Sequence, residues 1–493
     1  MDKHIPDFSF DNTYAKELDG FYAPWNAEVA PDPELLFLNG GLAAELGLDA
    51  QTLTGSTGAA IFSGSQAPVG AAPIAQAYAG HQFGGFSAQL GDGRAIMLGE
   101  VIDTTGARRD IQLKGSGRTP FSRGGDGKAA LGPVLREYLM GEAMHALGVP
   151  TTRALAAVTT GENIMRDGME AGAVLTRVAS SHIRIGTFQF FAARGERDKV
   201  KQLADYTIAR HYPHLRNAEN KYIDFLSAVI DAQVALVAHW MHTGFVHGVM
   251  NTDNMAISGE TIDYGPCAFI DTYAPNAVFS SIDTGGRYAF GNQPVIVKWN
   301  LSRLAETLLS LIDPKDGDNA VRLATSEIES IPARYIYVWL AGMRRKIGLH
   351  NTEAEDADLI NDMFSVMEGQ NVDYTQFFRN LAVAVDGDQR PLEALFDDPA
   401  DIMKWLTKWQ DRCLRDPQPP AKRATAMDQV NPIYIARNHK VEEALQAATK
   451  GDLTPFKQLL DLLQNPFEKR QGFEGYESPA PADFGPYTTF CGT

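Results

Sequence analysis

Two changes of character along the 493 residues predict an α+β fold in two lobes. Residues 78–119 are rich in glycine and short β-prone runs, whereas 197–243 and 296–312 carry apolar residues at helical spacing. A third observation says which α+β fold. His247 to Pro266, HGVMNTDNMAISGETIDYGP, follows the order of the protein-kinase catalytic loop, H-R-D-L-x-x-x-N, and of the metal-binding D-F-G. With His247 on the kinase His, Asn254 falls on the metal-ligand Asn and Asp263-Tyr264-Gly265 on D-F-G. Val249 falls on the catalytic base, and a valine accepts no proton. The expected fold is therefore protein-kinase-like and bilobal with a C-terminal extension. Its chemistry is that of a pseudokinase unless Asp253, one residue before Asn254, takes the base's role.

The elements follow in order. YAGHQFGGFSAQLGDGRAIMLGEV, from Tyr78, reads as twisted strands with Gly91-Asp92-Gly93 at a hairpin tip, and Ile111 to Lys114 as a strand ending at the lysine. Leu131, Val134, Leu135, Tyr138, Leu139 and Met144 recur at helical spacing before the stop Gly148-Val149-Pro150. Strands, a lysine, then a helix carrying Glu137 is the order of a kinase N-lobe. Ala173 to Phe191 reads as a further strand followed by a linker, and Phe225 to Met241 as a buried helix. Helices are expected through Asp388. The prolines of 417–424, PQPPAKRA, suggest a hinge, after which 431–463 reads as two short helices and the tail from Gly472 has no helical period. The expected divisions are 1–190, 191–416 and 417–493.

Composition narrows the partners. A formal net charge of -17 argues against a nucleic-acid binder, whose backbone contacts need a basic face. The N-terminus has neither the apolar core of a signal peptide nor the composition of a transit peptide, and the run 225–241 is too polar for a membrane span. Three cysteines, Cys267, Cys413 and Cys491, suit a reducing compartment, with room for one regulatory pair. A cytoplasmic protein without a membrane or nucleic-acid partner is expected.

The chemistry rests on a few side chains. An Asn carbonyl and a carboxylate on adjacent loops, Asn254 and Asp263, suffice to hold Mg²⁺ beside phosphates, although N-T-D-N is also ordinary turn chemistry. Asp263 is expected to line an open cleft, where its removal leaves folding intact. Lys114 and Glu137 match the kinase ion pair that aims an ammonium at phosphate. Gly91, Gly93 and Arg94 offer backbone N–H groups and a guanidinium, and Arg177 and Arg184 are two cations suited to a polyphosphate. Taken singly, each of these is as well explained by a hairpin turn or a surface ion pair. His81 and His182 have no metal-ligand partner at a telling spacing and read as structural.

The strings YAGHQFGGFSAQLGDGR, QLKGSGRTPFSRGGDGKAAL, LREYLMGEAMHALGVPT, SSHIRIGTFQ, HGVMNTDNM and GGRYAFGNQP, with WNLSRLAE and the terminal TTFCGT, resemble the selenoprotein O family, also called YdiU. The resemblance runs from about Tyr78 to about Glu306. It implies a pseudokinase fold that transfers AMP from ATP to Ser, Thr or Tyr hydroxyls of proteins, with Mg²⁺ or Mn²⁺, and with uridylyl transfer as a further expectation with Mn²⁺. Carried over residue by residue, it implies that Lys114, Arg177 and Arg184 contact phosphates, that Gly91, Gly93 and Arg94 line the nucleotide site, and that Asp126 with Gly127 faces the adenosine end. Asn254 and Asp263 hold the metal and Asp253 is the proton acceptor. Cys491 stands where selenoprotein members carry selenocysteine, and a redox pair with Cys267 is implied. A kinase transferring the γ-phosphate and an inactive nucleotide-binding scaffold remain the alternatives.

Overall fold

Long runs of apolar residues in the first 180 positions form strands buried on both faces, because helices cover the sheet from either side. The computed structural model describes residues 6–490. Its strands are β1 (Tyr22–Pro24), β2 (Glu34–Leu38), β3 (Ile74–Gln76), β4 (Gly80–Gln82), β5 (Gly85–Ser87), β6 (Ala95–Ile102), β7 (Arg108–Lys114), β8 (Ala129–Ala130), β9 (Arg153–Met165) and β10 (Met169–Ala179). Seven of them run in the order β1-β3-β6-β7-β10-β9-β2 and β8 joins β10, with antiparallel pairing throughout. The register sets Lys114 beside Leu175 and Arg177 beside Gln112, so two cations project from neighbouring strands at one end of the sheet.

The helix Leu131–Ala146 covers one face of the sheet with Leu135, Leu139 and Met144, all fully buried. The helix Gly55–Phe62 covers the other, where Ile61 and Phe62 meet Leu98, Ile111 and Val174. After β10 the chain is mainly helical. The helix Lys221–Thr243 is long and apolar enough to cross a membrane by composition, yet Leu226, Val229, Ile230 and Val237 are buried against Leu301, Leu304 and Leu308 of the helix Gln293–Ile312. Two short strands, β11 (Phe245–Val246) and β12 (Ala268–Phe269), pair antiparallel and bracket the 247–266 segment. The mixed α+β class is thus observed.

Three local expectations are corrected. Gly91-Asp92-Gly93 is no hairpin tip: Leu90 and Asp92 donate N–H bonds to Tyr78 and Gln76, and the actual tip is Phe83-Gly84 between β4 and β5. The stretch after β10 is a helix, Ile185–Ala192, where a linker was expected. Its Arg184 N–H donates to Thr187 Oγ, a cap hidden within an aromatic run that reads equally as strand. The proline run opens the helix Pro420–Asp428, with Pro420 in its first turn, and buried Arg423 donates to the Gly348 and Cys413 carbonyls. The two expected C-terminal helices are Asn438–Thr449 and Thr454–Leu463, packed on the helix Leu131–Ala146. The tail is irregular but anchored: Thr489 Oγ donates to Pro266 O at 2.8 Å, and its N–H to Phe279 O at 2.7 Å.

Candidate functional site

A cleft of about 1710 Å³ opens between sheet and helical body, lined among others by Lys114, Glu137, Arg177, Arg184, Asp253, Asn254 and Asp263. At its floor three cations converge on one carboxylate. Asp263 Oδ1 accepts from Lys114 Nζ at 2.9 Å and from Arg177 at 2.7 Å, and Oδ2 accepts from Arg184 at 2.7 Å. Glu137, from the helix behind, takes Lys114 at 2.6 Å and Arg177 at 3.1 Å. The expected ion pair is therefore formed and shared with a second guanidinium. Arg177 is fixed further by Gln112 Oε1 at 2.7 Å, while the Arg184 guanidinium lies 4.6 Å from the Tyr78 ring centre.

Burial raises the cost of every charge here, and the cations decide the outcome. Burial alone would push both carboxyls up, but Lys114 and Arg177 hold Glu137 below its ordinary range, and together with Arg184 they hold Asp263 well below. Asp263 also has a backbone φ of 65°, left-handed for a non-glycine residue, which aims its side chain at the three cations. Asp263 lines the cleft as expected but is less open than expected: its side chain is 20% exposed and its partners Arg177 and Arg184 only 2% and 3%. Removing it strands buried cations.

Asp253 differs in character. Burial pushes its carboxyl up to about 6; Oδ2 accepts from Gln82 Nε2 at 3.0 Å, and Oδ1 has no hydrogen-bond partner among the described residues. Its own carbonyl accepts from Arg184 at 2.6 Å, tying the candidate base to a candidate phosphate-binding residue. Val249, at the usual kinase base position, is buried in the same cleft.

The donor set fits a hard divalent ion. Asn254 Nδ2 donates to Val249 O at 3.0 Å, which leaves its carbonyl oxygen as the atom for a metal, and Asp263 supplies a carboxylate. No group of three or more His, Cys, Asp or Glu that could hold a metal occurs among the described residues, so phosphate oxygens and water would complete the shell.

Gly91, Gly93, Arg94, Asp126 and Gly127 all border the cleft. Gly91 and Gly93 are required by contact: a Cβ on Gly91 would stand 2.4 Å from the Phe121 ring, and one on Gly93 2.9 Å from Phe121 O. The Gly93 N–H is spent on Gly91 O. Arg94 lies beside them. Both Asp126 oxygens accept from Arg166 at 2.9 Å, and Gly127, with φ of 70°, sits where a Cβ would be 2.1 Å from Gly117 O. These contacts shape the 115–128 loop over the cleft. His182 is buried and held neutral, its pKa lowered to about 4 by burial, against Asp110 at 3.0 Å, and His81 bonds Gln189, as structural roles require. Cys267 is buried, its thiol pushed up to about 11 by burial, and Cys491 lies outside the described residues.

Four side chains at the site escaped sequence reasoning: Tyr78, Gln82, Asp92 and Gln112. Asp92 is buried, with Oδ2 accepting from Gln76 N at 3.0 Å and Oδ1 4.0 Å from Arg184. Its position inside a Gly-Asp-Gly turn signal concealed it. Polar residues at inward strand positions, as at Gln112, were the one available signal.

Comparison with known proteins agrees with this geometry. The family profile described as Protein adenylyltransferase SelO matches residues 5–464. The chain is 60% identical to the Protein nucleotidyltransferase YdiU of Cereibacter sphaeroides over 488 residues, 99% of this chain and 100% of the relative. It is 55% identical to that of Sphingopyxis alaskensis, with 99% and 100% covered, and 56% identical to that of Rhizobium leguminosarum bv. trifolii, with 99% and 97% covered. With the match spanning nearly the whole chain, and the catalytic-loop, DYG and lysine-bearing strands folded into one cleft, the chain belongs to the SelO/YdiU family of protein nucleotidyltransferases.

Proposed function

We propose that the chain transfers AMP from ATP to Ser, Thr or Tyr hydroxyls of proteins, on a kinase-like bilobal pseudokinase fold with lobes 1–190 and 191–416 and an extension 417–493. One observation carries the reading. Asp253, the acid in the loop, borders the cleft where Lys114, Arg177 and Arg184 converge and has a buried Oδ1 with no hydrogen-bond partner among the described residues, while Val249 occupies the usual base position.

Lys114, Arg177 and Arg184 bind the phosphates, exchanging the Asp263 carboxylate for phosphate oxygens as counter-charge. Arg94, with the Gly91–Gly93 turn, borders the nucleotide, and the Asp126–Gly127 turn closes its adenosine end. Asn254 and Asp263 would hold a divalent ion, Mg²⁺ or Mn²⁺, which when bound neutralises charge on the phosphates. The acceptor hydroxyl gives its proton to Asp253 and its oxygen bonds to the α-phosphorus. The bond from that phosphorus to the bridging oxygen breaks, and the electron pair leaves with pyrophosphate onto the three cations. With Mn²⁺ and UTP the same site would transfer UMP. The tail supports a regulatory pairing of Cys267 with Cys491: Thr489 is bonded to Pro266, and two further residues span at most ~7 Å. Oxidation would pin the tail against the loop after Asp263 and lower activity, and peptide mapping under non-reducing conditions that finds both thiols free after oxidation removes the pairing.

ATP labelled at α or at γ tests the main reading. Protein label from α alone is the expected result. Label from γ alone would make the chain a kinase, and label from neither a scaffold. Asp253→Ala should lower kcat with little change in ATP affinity.

A further inference from the structure

The β4–β5 hairpin touches the catalytic loop at three consecutive residues, and no kinase-like motif predicts it. His81 N–H donates to Thr252 Oγ at 2.7 Å, Gln82 Nε2 to Asp253 Oδ2 at 3.0 Å, and Phe83 N–H to Asn251 Oδ1 at 3.1 Å. The contacts are braced from behind. Thr252 Oγ donates to Gln189 Oε1 at 2.6 Å, the Gln189 amide meets His81 Nδ1 at 2.7 Å, and Tyr288 OH donates to the same Asn251 oxygen at 2.7 Å. Phe83 holds a left-handed φ of 51° to make the tip, so the hairpin turns where its bonds to the loop require.

Gln82 and Gly80 flank the two oxygens of one carboxylate. Gln82 donates to Oδ2, while a Cβ on Gly80 would stand 2.3 Å from Oδ1 and 2.8 Å from Cγ of Asp253. The bare Cα of Gly80 thus leaves the room in which Oδ1 sits, and the Gln82 amide stops the carboxylate rotating out of it. A carboxylate left to rotate would spend most of its time misaligned with an acceptor hydroxyl, and misplacement of about 1 Å costs on the order of 100-fold in rate.

We infer that Gln82 is a positioning residue for transfer, fixing the rotation of the Asp253 carboxylate from a hairpin lying outside the kinase-like motifs, with Gly80 supplying the space for Oδ1. The inference rests on the reading of Asp253 as proton acceptor.

The test is steady-state AMP transfer from α-labelled ATP to dephosphorylated casein by the full chain, with ATP affinity and thermal unfolding measured alongside. Gln82→Met keeps length without a donor, and Gln82→Glu keeps shape but faces the carboxylate with an acceptor. Gln82 is partly exposed, so both variants should fold. Loss of a hydrogen bond to a charged group predicts a fall in kcat of about 10- to 100-fold for Gln82→Met and at least as much for Gln82→Glu, with KM for ATP unchanged. Gly80→Ala should reproduce that kcat loss by displacing the carboxylate. Wild-type kcat in Gln82→Met, or a loss expressed equally in ATP affinity, overturns the inference. Asp253→Asn run in parallel separates the two failures: if it retains turnover the base reading falls, and if it loses turnover while Gln82→Met does not, only the positioning role falls.

Discussion

Asp263→Asn keeps the shape of the side chain and removes one negative charge from a cluster of three cations. Lys114, Arg177 and Arg184 would then face Glu137 and, at 4.0 Å, Asp92. Stripping the partner from a buried charge costs roughly 3–5 kcal/mol, and the 20% exposure of Asp263 reduces this to about 2–4 kcal/mol in the nucleotide-free protein. Spread over 493 residues unfolding together, that is a fall in Tm of only ~2–4 °C, since the unfolding entropy scales with length. The direction changes with ligand. ATP in the presence of a chelator brings phosphate charge to the same cations, so it should raise the Tm of the variant more than that of the wild type. Added Mg²⁺ should improve ATP binding in the wild type and leave the variant unchanged, with AMP transfer abolished. Scanning calorimetry of both proteins without nucleotide, with ATP and chelator, and with ATP and Mg²⁺ reads the shifts, and α-labelled ATP reads the transfer. A variant that melts with the wild type and still responds to Mg²⁺ would refute the counter-charge argument.

Other outcomes follow from single buried groups. Lys346 is buried over the Phe378 ring at 3.9 Å, with no carboxylate in ion-pairing range among the described residues, and burial lowers its pKa from 10.5 to about 7. Between those values the unfolded chain holds a proton that the folded chain lacks, so this group makes stability rise with pH through that window. Lys346→Met should raise stability at pH 7 and flatten the rise, as urea titrations at several pH values would show. Arg437, fully buried, bonds Asp271 and Asp373 at 2.6 Å each, and Arg437→Met should cost about 3–5 kcal/mol in denaturant titration by stranding two carboxylates. Gly91→Ala should weaken ATP affinity, because a Cβ would displace Phe121 and with it the 115–128 loop, and calorimetric titration of ATP checks it.

The parts of the site legible in the sequence are those fixed by local order. Lys114 at a strand end and Glu137 on the next helix were readable because each element announces itself within twenty residues, and their contact at 2.6 Å follows from the strand-helix succession. Asp253, Asn254 and Asp263 were readable because one loop carries them. What stayed hidden depends on chain-distant approach. Gln82 meets Asp253 across 171 positions and Asp92 reaches Arg184 across 92, and no period or spacing encodes either contact. The reading of 185–192 as a linker has another cause, since Ile-Gly-Thr-Phe-Gln-Phe-Phe shows no clear helical period and the Arg184–Thr187 cap that opens the helix is not visible in the sequence.

Arg136 shows how these distant pieces are held to one geometry. It sits next to Glu137 on the same helix, and its guanidinium donates to Gly265 O at 3.2 Å, Cys267 O at 2.6 Å and Tyr487 OH at 3.0 Å. Tyr487 in turn donates to Glu442 on a C-terminal helix at 2.7 Å. One residue thus joins the helix that orients Lys114, the loop that follows Asp263, and the tail that leads to Cys491. Displacing the tail removes Tyr487 and leaves the buried guanidinium the Gly265 and Cys267 carbonyls and the Glu442 carboxylate at 3.5 Å. The Gly265 and Cys267 carbonyls that Arg136 holds follow Asp263 by two and four residues. Arg136 therefore connects the tail, through Tyr487, to the backbone that follows Asp263 and to the helix whose Glu137 holds Lys114.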